Sequence, residues 1–398
     1  MFDVIVIGGG AAGFFAALSA KKTNPDARVA ILEKSLQLLS KVRISGGGRC
    51  NVTNACLDPL LLTKNYPRGE KELLGPFNKF GPKETITWFE SRGVSLRSEA
   101  DGRMFPITNS SQTIIDCLLE EAEKLAVEIL LKQKIEEIKP GFILTLKEGS
   151  TIQTKKLILA TGSSAEGHLW ATQLGSHTIQ KPVPSLFTFN VPNSPLAELS
   201  GISFKEATIR IKGTLLSQTG PLLITHFGFS GPAVLKLSAW AARTLSENEY
   251  SFEILIDWLP KLSSCETVAT LIQLKTQFPQ KTLLSENPFN LAKNFWKLIC
   301  PSKRLNDFSS KELHQLSEKI HSDLYQVNGK TTHKEEFVTC GGVSLKEVNF
   351  KTMESKQCPG LFFCGEILDI DGITGGFNFQ NAWTTGFIAG TSCLNSHF

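Results

Sequence analysis

Four apolar residues, Val4, Ile5, Val6 and Ile7, follow one another and stop at the cluster Gly8-Gly9-Gly10-Ala11-Ala12-Gly13. An unbroken apolar run is the pattern of a parallel strand covered on both faces. The Ala- and Phe-rich stretch that follows, up to Ala20, is long enough for a helix. A second apolar strand over 28–32 ends on Glu33, twenty residues after Gly13. Strand, glycine turn, helix, strand and terminal acid at this spacing predict a dinucleotide-binding βαβ unit.

The periodicity continues in the same style. Helices are expected over 83–92 and over 111–126, where Ile114, Ile115, Leu118, Leu119 and Leu125 share one side. A parallel strand is expected over 128–131. A meander over 134–138, 142–147 and 156–161 should follow, separated by Pro140-Gly141 and Glu148-Gly149. Residues 102–106 read as a turn. The glycines of 45–54 read as a loop, because no regular element tolerates that run. After about Ser185 the pattern changes to strand-like pieces at 186–191, 207–211, 221–225 and 252–256. Ser230 is expected to cap the helix opened by Pro232. Helical segments over 264–320 break at Asn287-Pro288 and Pro301. A strand at 360–364 and a final helix over 380–394 return to the first pattern. The expected domains are 1–185 and 339–398, forming one unit, and an inserted lobe over 186–338. In that lobe strands occupy about 186–257 and 321–338, and helices about 264–320.

The glycines have physical roles. Gly8 permits the tight turn, Gly10 lets the backbone approach a pyrophosphate, and Gly13 lets helix and strand pack closely. The helix N-terminus offers unpaired N–H groups and positive dipole to phosphates. Glu33 is placed to accept hydrogen bonds from ribose hydroxyls. Consecutive amides at Ser45-Gly46-Gly47-Gly48, with Arg49 beside them, suit an anion.

With 398 residues the chain should form two or three domains. A net charge of +4 is slight for that length, and the basic doublets Lys21-Lys22 and Lys155-Lys156 do not make a nucleic-acid stripe. The N-terminus lacks a basic n-region, and no run approaches the roughly 20 apolar residues that cross a bilayer. A cytoplasmic protein is expected, its nine cysteines reduced and none of them in a C-x-x-C pair. No metal-ligand spacing is present.

Several segments together resemble the BaiN-like, aminoacetone oxidase-like family of bacterial FAD-binding flavoproteins. They are GGGAAG (8–13), KVRISGGGRCNVTNA (41–55), GRMFP (102–106), ILATG (158–162), THFGFSGPAVL (225–235), TCGGV (339–343) and LFFCGEILDIDGITGGFNFQNAWTTGFIAG (361–390). The resemblance implies an α/β fold: a Rossmann-type FAD-binding domain of the two-dinucleotide-binding type, interrupted by a lobe of β-barrel-like strands and a helical cluster. It implies that Gly8, Gly10, Ala11, Ala12, Gly13, Glu33 and Lys34 meet the ADP half of FAD. Lys41, Ser45, Gly46, Gly47, Arg49, Cys50 and Asn51 would run along its middle, with Thr161 and Gly162 on the adenosine side. Gly365, Glu366 and Asp369 would lie near the ribityl chain, and Gly376, Phe377, Asn378 and Asn381 near the flavin. Glu366 stands where Asp is usual, and Leu39-Ser40 where many relatives carry Gly-Arg.

Flavin supplies redox chemistry, and the protein positions substrate and tunes the ring. No second G-x-G-x-x-G is present, so NAD(P)H as reductant would dock transiently; otherwise the substrate is the reductant and oxygen the acceptor. Candidate catalytic residues are Cys50, His226 and Arg103. Each has a plain structural alternative: a small buried hydrophobe, a histidine bonded to backbone, an ion pair. The expected function is an FAD-dependent oxidoreductase acting on a small organic substrate in a cleft between lobes. The alternatives are a flavin-dependent tRNA-modifying enzyme and a non-catalytic flavin-binding protein.

Overall fold

The first strand, β1 (Phe2–Ile7), is buried apart from Asp3, and β2 (Val29–Leu32) is buried throughout, as unbroken apolar runs demand. The computed structural model describes residues 1–192, 194–331 and 338–395. Between the two strands lies α1 (Ala11–Thr23), and after them the short helix α2 (Ser40–Gly48). Three more strands, β3 (Glu128–Leu130), β4 (Thr151–Leu159) and β5 (Leu361–Phe363), complete a parallel sheet in the order β3-β2-β1-β4-β5. The first half of β4 also pairs antiparallel with Ile143–Leu146, which forms a hairpin with Ile135–Lys139. The last helix, α3 (Phe377–Cys393), packs along α1.

Every residue of α1 from Ala12 to Ala20 is buried, because the helix is covered on one side by the sheet and on another by α3. Small residues set the helix spacing. A Cβ on Gly386 would lie 2.5 Å from the Ala12 carbonyl oxygen, and one on Gly390 would lie 2.0 Å from that of Ala16.

The chain divides into two compact units, Met1–Pro184 with Lys334–Phe398, and Ser185–His333. Among the described residues the second unit holds a seven-stranded antiparallel sheet. Its order is Asp323–Asn328, Ser251–Asp257, Ser203–Ile211, Ser217–Thr225, Gly228–Ser230, Thr188–Asn190, Lys330–Thr331. Its core joins Phe204, Trp258 and Phe295, and the Trp258 Nε1–H donates to the buried carboxylate of Asp323 at 3.0 Å. Helices Pro232–Glu247, Ser264–Gln277, Lys293–Ile299 and Ser310–His321 belong to the same unit.

Four local expectations are corrected. Residues 103–106 are not a turn but a strand, held in a local hairpin with Leu96–Ser98 and by long-range pairing with Thr53–Asn54. Gly231, not Ser230, caps the helix begun by Pro232; it adopts φ 99°, and a Cβ there would meet the Pro221 oxygen at 2.9 Å. The Gly-rich loop is entered from a helical turn, α2, and Ser45, Gly46 and Gly47 leave the helical region. The final helix starts at Phe377 rather than 380, because Gly376 in the left-handed region ends the preceding turn. The stretch 332–337, included in the expected lobe, lies outside the described residues.

Candidate cofactor site

At the carboxyl end of β1 three chain segments meet too closely for side chains. Gly8 has φ 113°, and a Cβ on it would sit 2.4 Å from the Ala160 oxygen. A Cβ on Gly13 would sit 2.0 Å from the Gly8 oxygen, so β1 and α1 are in backbone contact. Gly10 differs: no atom lies within 4 Å of its Cβ position, so the start of α1 faces open space. The first intrahelical bond is Phe14 N–H to the Gly10 oxygen at 3.0 Å. The amides of Ala11, Ala12 and Gly13 therefore have no intrahelical partner and point out of the helix end.

Glu33 follows β2. Its carboxylate accepts from Gly9 N–H at 2.9 Å and from Ser35 N–H at 2.8 Å, which ties the second strand to the glycine turn. Beside it lies an open pocket lined by Leu32, Glu33, Lys34, Thr161, Glu166 and Trp170 among others. Lys34 and Glu166 pair at 3.0 Å, and the Lys34 ammonium, followed by the Ser164 hydroxyl, holds the Glu166 carboxyl below its usual range. The Thr161 hydroxyl is buried and has no partner.

Further along, Lys41 pairs with Glu366, whose other oxygen accepts from Thr339 N–H at 2.9 Å. Gly162, with φ 59°, would place a Cβ 3.8 Å from the same Glu366 carboxylate. Gly365 N–H donates to the Thr385 hydroxyl at 2.9 Å, and its backbone lies against Ala12. Asp369 is buried and its N–H donates to the Val343 oxygen at 3.1 Å.

The end of α2 is shaped by three left-handed glycines, Gly46, Gly47 and Gly48, followed after Arg49 by Cys50 at φ 59°. The Ser45 hydroxyl donates to the Val42 oxygen, and Cys50 N–H donates to the Ser45 oxygen at 2.9 Å. Arg49 lies 4.0 Å above the Phe105 ring and pairs with Glu99 at 2.7 Å. Arg103 bonds the other Glu99 oxygen at 2.8 Å and Asp101 at 2.7 Å. Asn51 accepts from Met104 N–H.

This turn abuts the start of α3. A Cβ on Gly376 would meet the Thr53 oxygen at 2.4 Å and the Asn51 side-chain oxygen at 2.9 Å. Asn54 donates to the Gly375 oxygen, and Trp383 Nε1–H to the Val52 oxygen, both at 2.9 Å. Phe377 is buried against the Tyr66 ring. The Asn378 amide closes a ring onto Gly372, accepting from its N–H at 2.8 Å and donating to its oxygen at 2.9 Å. Asn381 is buried, and its side-chain oxygen has no partner.

The fold thus gathers Gly8, Gly10, Ala11, Ala12, Gly13, Glu33, Lys34, Thr161 and Gly162 at the β1 end. It gathers Lys41, Gly365 and Glu366 beyond them, and Ser45 through Asn51 against Gly376. The three catalytic candidates stand differently. Burial pushes the Cys50 thiol up to about 12, so it is protonated at neutral pH. Arg103 spends its guanidinium on Glu99 and Asp101. His226 is exposed in the turn between Ser217–Thr225 and Gly228–Ser230 of the second unit. Residues with no sequence signal also shape the site. Tyr66, Arg68 and Thr85 touch Phe377, Asp371 and Gln380 through side chains roughly three hundred positions apart in sequence. Asp371, two after Asp369, and Gln380, next to Asn381, stood beside flagged positions, and Phe377 was itself flagged.

The donor set fits FAD. An open helix N-terminus, an acid at the end of β2, an adjoining pocket and two orphaned buried polar side chains, Thr161 and Asn381, are what a dinucleotide would complete. Fold and site together define a Rossmann-type FAD-dependent oxidoreductase. The chain belongs to the HI0933-like protein Rossmann domain family, whose model matches residues 2–392. It is 31% identical over 402 residues to a ribosomal RNA dihydrouridine synthase of Escherichia coli K12, covering 96% of each chain. It is 29% identical over 413 residues to a 3-dehydro-bile acid delta(4,6)-reductase of Clostridium scindens, covering 97% of each. Among solved structures it shares the fold of a 3-ketosteroid-delta4-(5alpha)-dehydrogenase from Rhodococcus jostii RHA1, with TM-score 0.51, 14% identity, and 99% and 97% of the two chains covered. Among the described residues no helix is long and apolar enough to cross a membrane.

Proposed function

We propose that the protein is an NAD(P)H-consuming, FAD-dependent reductase of a carbon–carbon double bond conjugated to a carbonyl in a small organic substrate. The observation that carries the flavin half is the cradle at β1: an open Gly10 beside close backbone contacts at Gly8 and Gly13. The printed names of two full-length relatives supply the substrate half. A delta(4,6)-reductase of a 3-dehydro steroid and a synthase of dihydrouridine both saturate a double bond in conjugation with a carbonyl. Bound FAD would supply the hydride transfer.

The chain's own residues would do the rest. The first-turn amides of α1 hold the pyrophosphate, Glu33 the ribose, and the pocket between Lys34 and Trp170 the adenine. Lys41 and Glu366 flank the ribityl chain. Gly376, Phe377, Asn378 and Asn381 present the start of α3 to the ring, where its dipole favours negative charge. NAD(P)H, lacking a second dinucleotide turn in the sequence, would dock over the flavin and leave.

A second reading has a specific support: relatives at 31% and 30% identity are named ribosomal RNA dihydrouridine synthases, which makes a uracil base of ribosomal RNA the competing substrate. One set of measurements separates them. Purified protein should be yellow, and anaerobic NADH or NADPH should bleach it. Reoxidation by cyclic dienones, with no change in ribosomal dihydrouridine when the gene is deleted, supports the first reading. Loss of a dihydrouridine on deletion supports the second. A protein that purifies colourless and takes up no FAD would overturn both.

A further inference from the structure

The segment between β5 and α3, together with the first residue of α3, is stitched to residues 65–69 at four points. Ile373 N–H donates to the Asn65 oxygen at 2.9 Å, and the Tyr66 hydroxyl donates to the Phe377 oxygen at 2.6 Å. Gly69 lies against Ile370, with a Cβ position 2.8 Å from its side chain. The fourth stitch is ionic. The Arg68 guanidinium engages Asp371 with two nitrogens, Nε–H to Oδ1 at 2.5 Å and Nη2 to Oδ2, across a backbone bridge between the same residues. Asp371 is fully buried, and the Arg68 side chain is 11% exposed. Asp371 adjoins Gly372, which the Asn378 side chain clamps into the first turn of α3. The charges of this pair therefore sit beside the helix start that the proposed function turns toward the flavin.

A fork-to-fork pair under a turn fixes position through geometry and balances charge at the same time. We propose that Arg68 and Asp371 are positioning residues that set the reduction potential of the bound flavin by keeping a buried carboxylate neutralised beside the α3 N-terminus. This rests on the FAD reading above. Reduction adds negative charge to the ring, so an unmatched anion nearby makes it harder and an unmatched cation makes it easier. Removing either partner should loosen the turn in the same way but move the potential in opposite ways.

The test is spectroelectrochemical titration of the yellow holoprotein, with FAD dissociation followed by flavin fluorescence. D371N, which removes the negative charge from the pair, should raise the midpoint potential. R68Q should lower it relative to the unsubstituted protein, both measured at pH 9. R68K keeps the charge but loses the fork; it should hold the potential near the unsubstituted value while releasing FAD faster. Potentials that stay put, or move the same way in D371N and R68Q while flavin is retained, would overturn the proposal. Should those two variants fail to fold, an R68K protein that releases FAD at the unsubstituted rate overturns it instead. Unsubstituted protein that binds no FAD would sink the flavin reading itself, an outcome separate from all of these.

Discussion

Gly13 has no room for even a methyl group, because its Cβ position falls 2.0 Å from the Gly8 oxygen, a backbone atom that cannot rotate away. G13A must push α1 off β1. Such overpacking costs about 1–3 kcal/mol, and the displaced amides should also lose their ligand, so the variant is expected to purify pale with a lowered unfolding midpoint. G10A meets no neighbour and should fold normally; its effect should be confined to FAD affinity. Equal destabilisation of the two by urea titration would count against the assignment of their roles. At the same scale, burial pushes the Cys50 thiol up to about 12, leaving about 10⁻⁴ of it ionised at pH 8. Cys265 is exposed. Iodoacetamide on native protein should therefore label Cys265 and spare Cys50, as peptide mass spectrometry would show.

Whole elements carry signals that single residues do not. Helix Ser310–His321 in the second unit begins with a capping box: the Ser309 hydroxyl accepts from Glu312 N–H, and the Glu312 carboxylate accepts from Ser309 N–H. S309A should cost about 1 kcal/mol. Glu312 is held down to about 2, first by Lys303 and then by Ser309. A folded-state value below the unfolded one means the carboxylate favours the fold above roughly pH 4.5, and that this is lost as pH falls toward 2. The E312Q variant should thus be less stable than the parent at pH 7, with the gap closing as pH falls through about 2, by chemical denaturation. The β1–α1–β2 unit was legible because its signals are local: a buried run, three glycines at fixed offsets, an acid closing the second strand. The strand at Arg103–Pro106 was not: its hairpin partner Leu96–Ser98 is only three residues long, and its other partner, Thr53–Asn54, is distant in sequence. The Ser230 cap failed for a different reason. The composition of Phe229-Ser230-Gly231-Pro232 allows either residue to cap, and only the crowding of Gly231 against Pro221 decides it.

For the whole molecule the cofactor should act as a structural ligand. In the proposed cradle it would touch segments distant in the chain, and anything that binds only the folded state stabilises it by mass action. Free FAD at a hundred times its dissociation constant should add about 2.7 kcal/mol, seen as a higher melting temperature. A melting temperature indifferent to FAD would argue against binding in the cradle. At this scale too the sequence was partly readable. Motifs from residue 8 to residue 390 lay in family order, but the Arg68–Asp371 pair, 303 positions apart, has no local pattern from which to infer it.

The seam of Gly386 and Gly390 against Ala12 and Ala16 has a consequence in time as well as space. During synthesis α1 leaves the ribosome well before α3, with one flank apolar and uncovered until α3 follows it. A nascent chain carries that bare surface until α3 has docked, and if the cradle needs α3, vitamin-derived colour should arrive only then. Chains stalled before residue 377 should accordingly be chaperone clients, unable to hold the yellow group however much of it the cell contains.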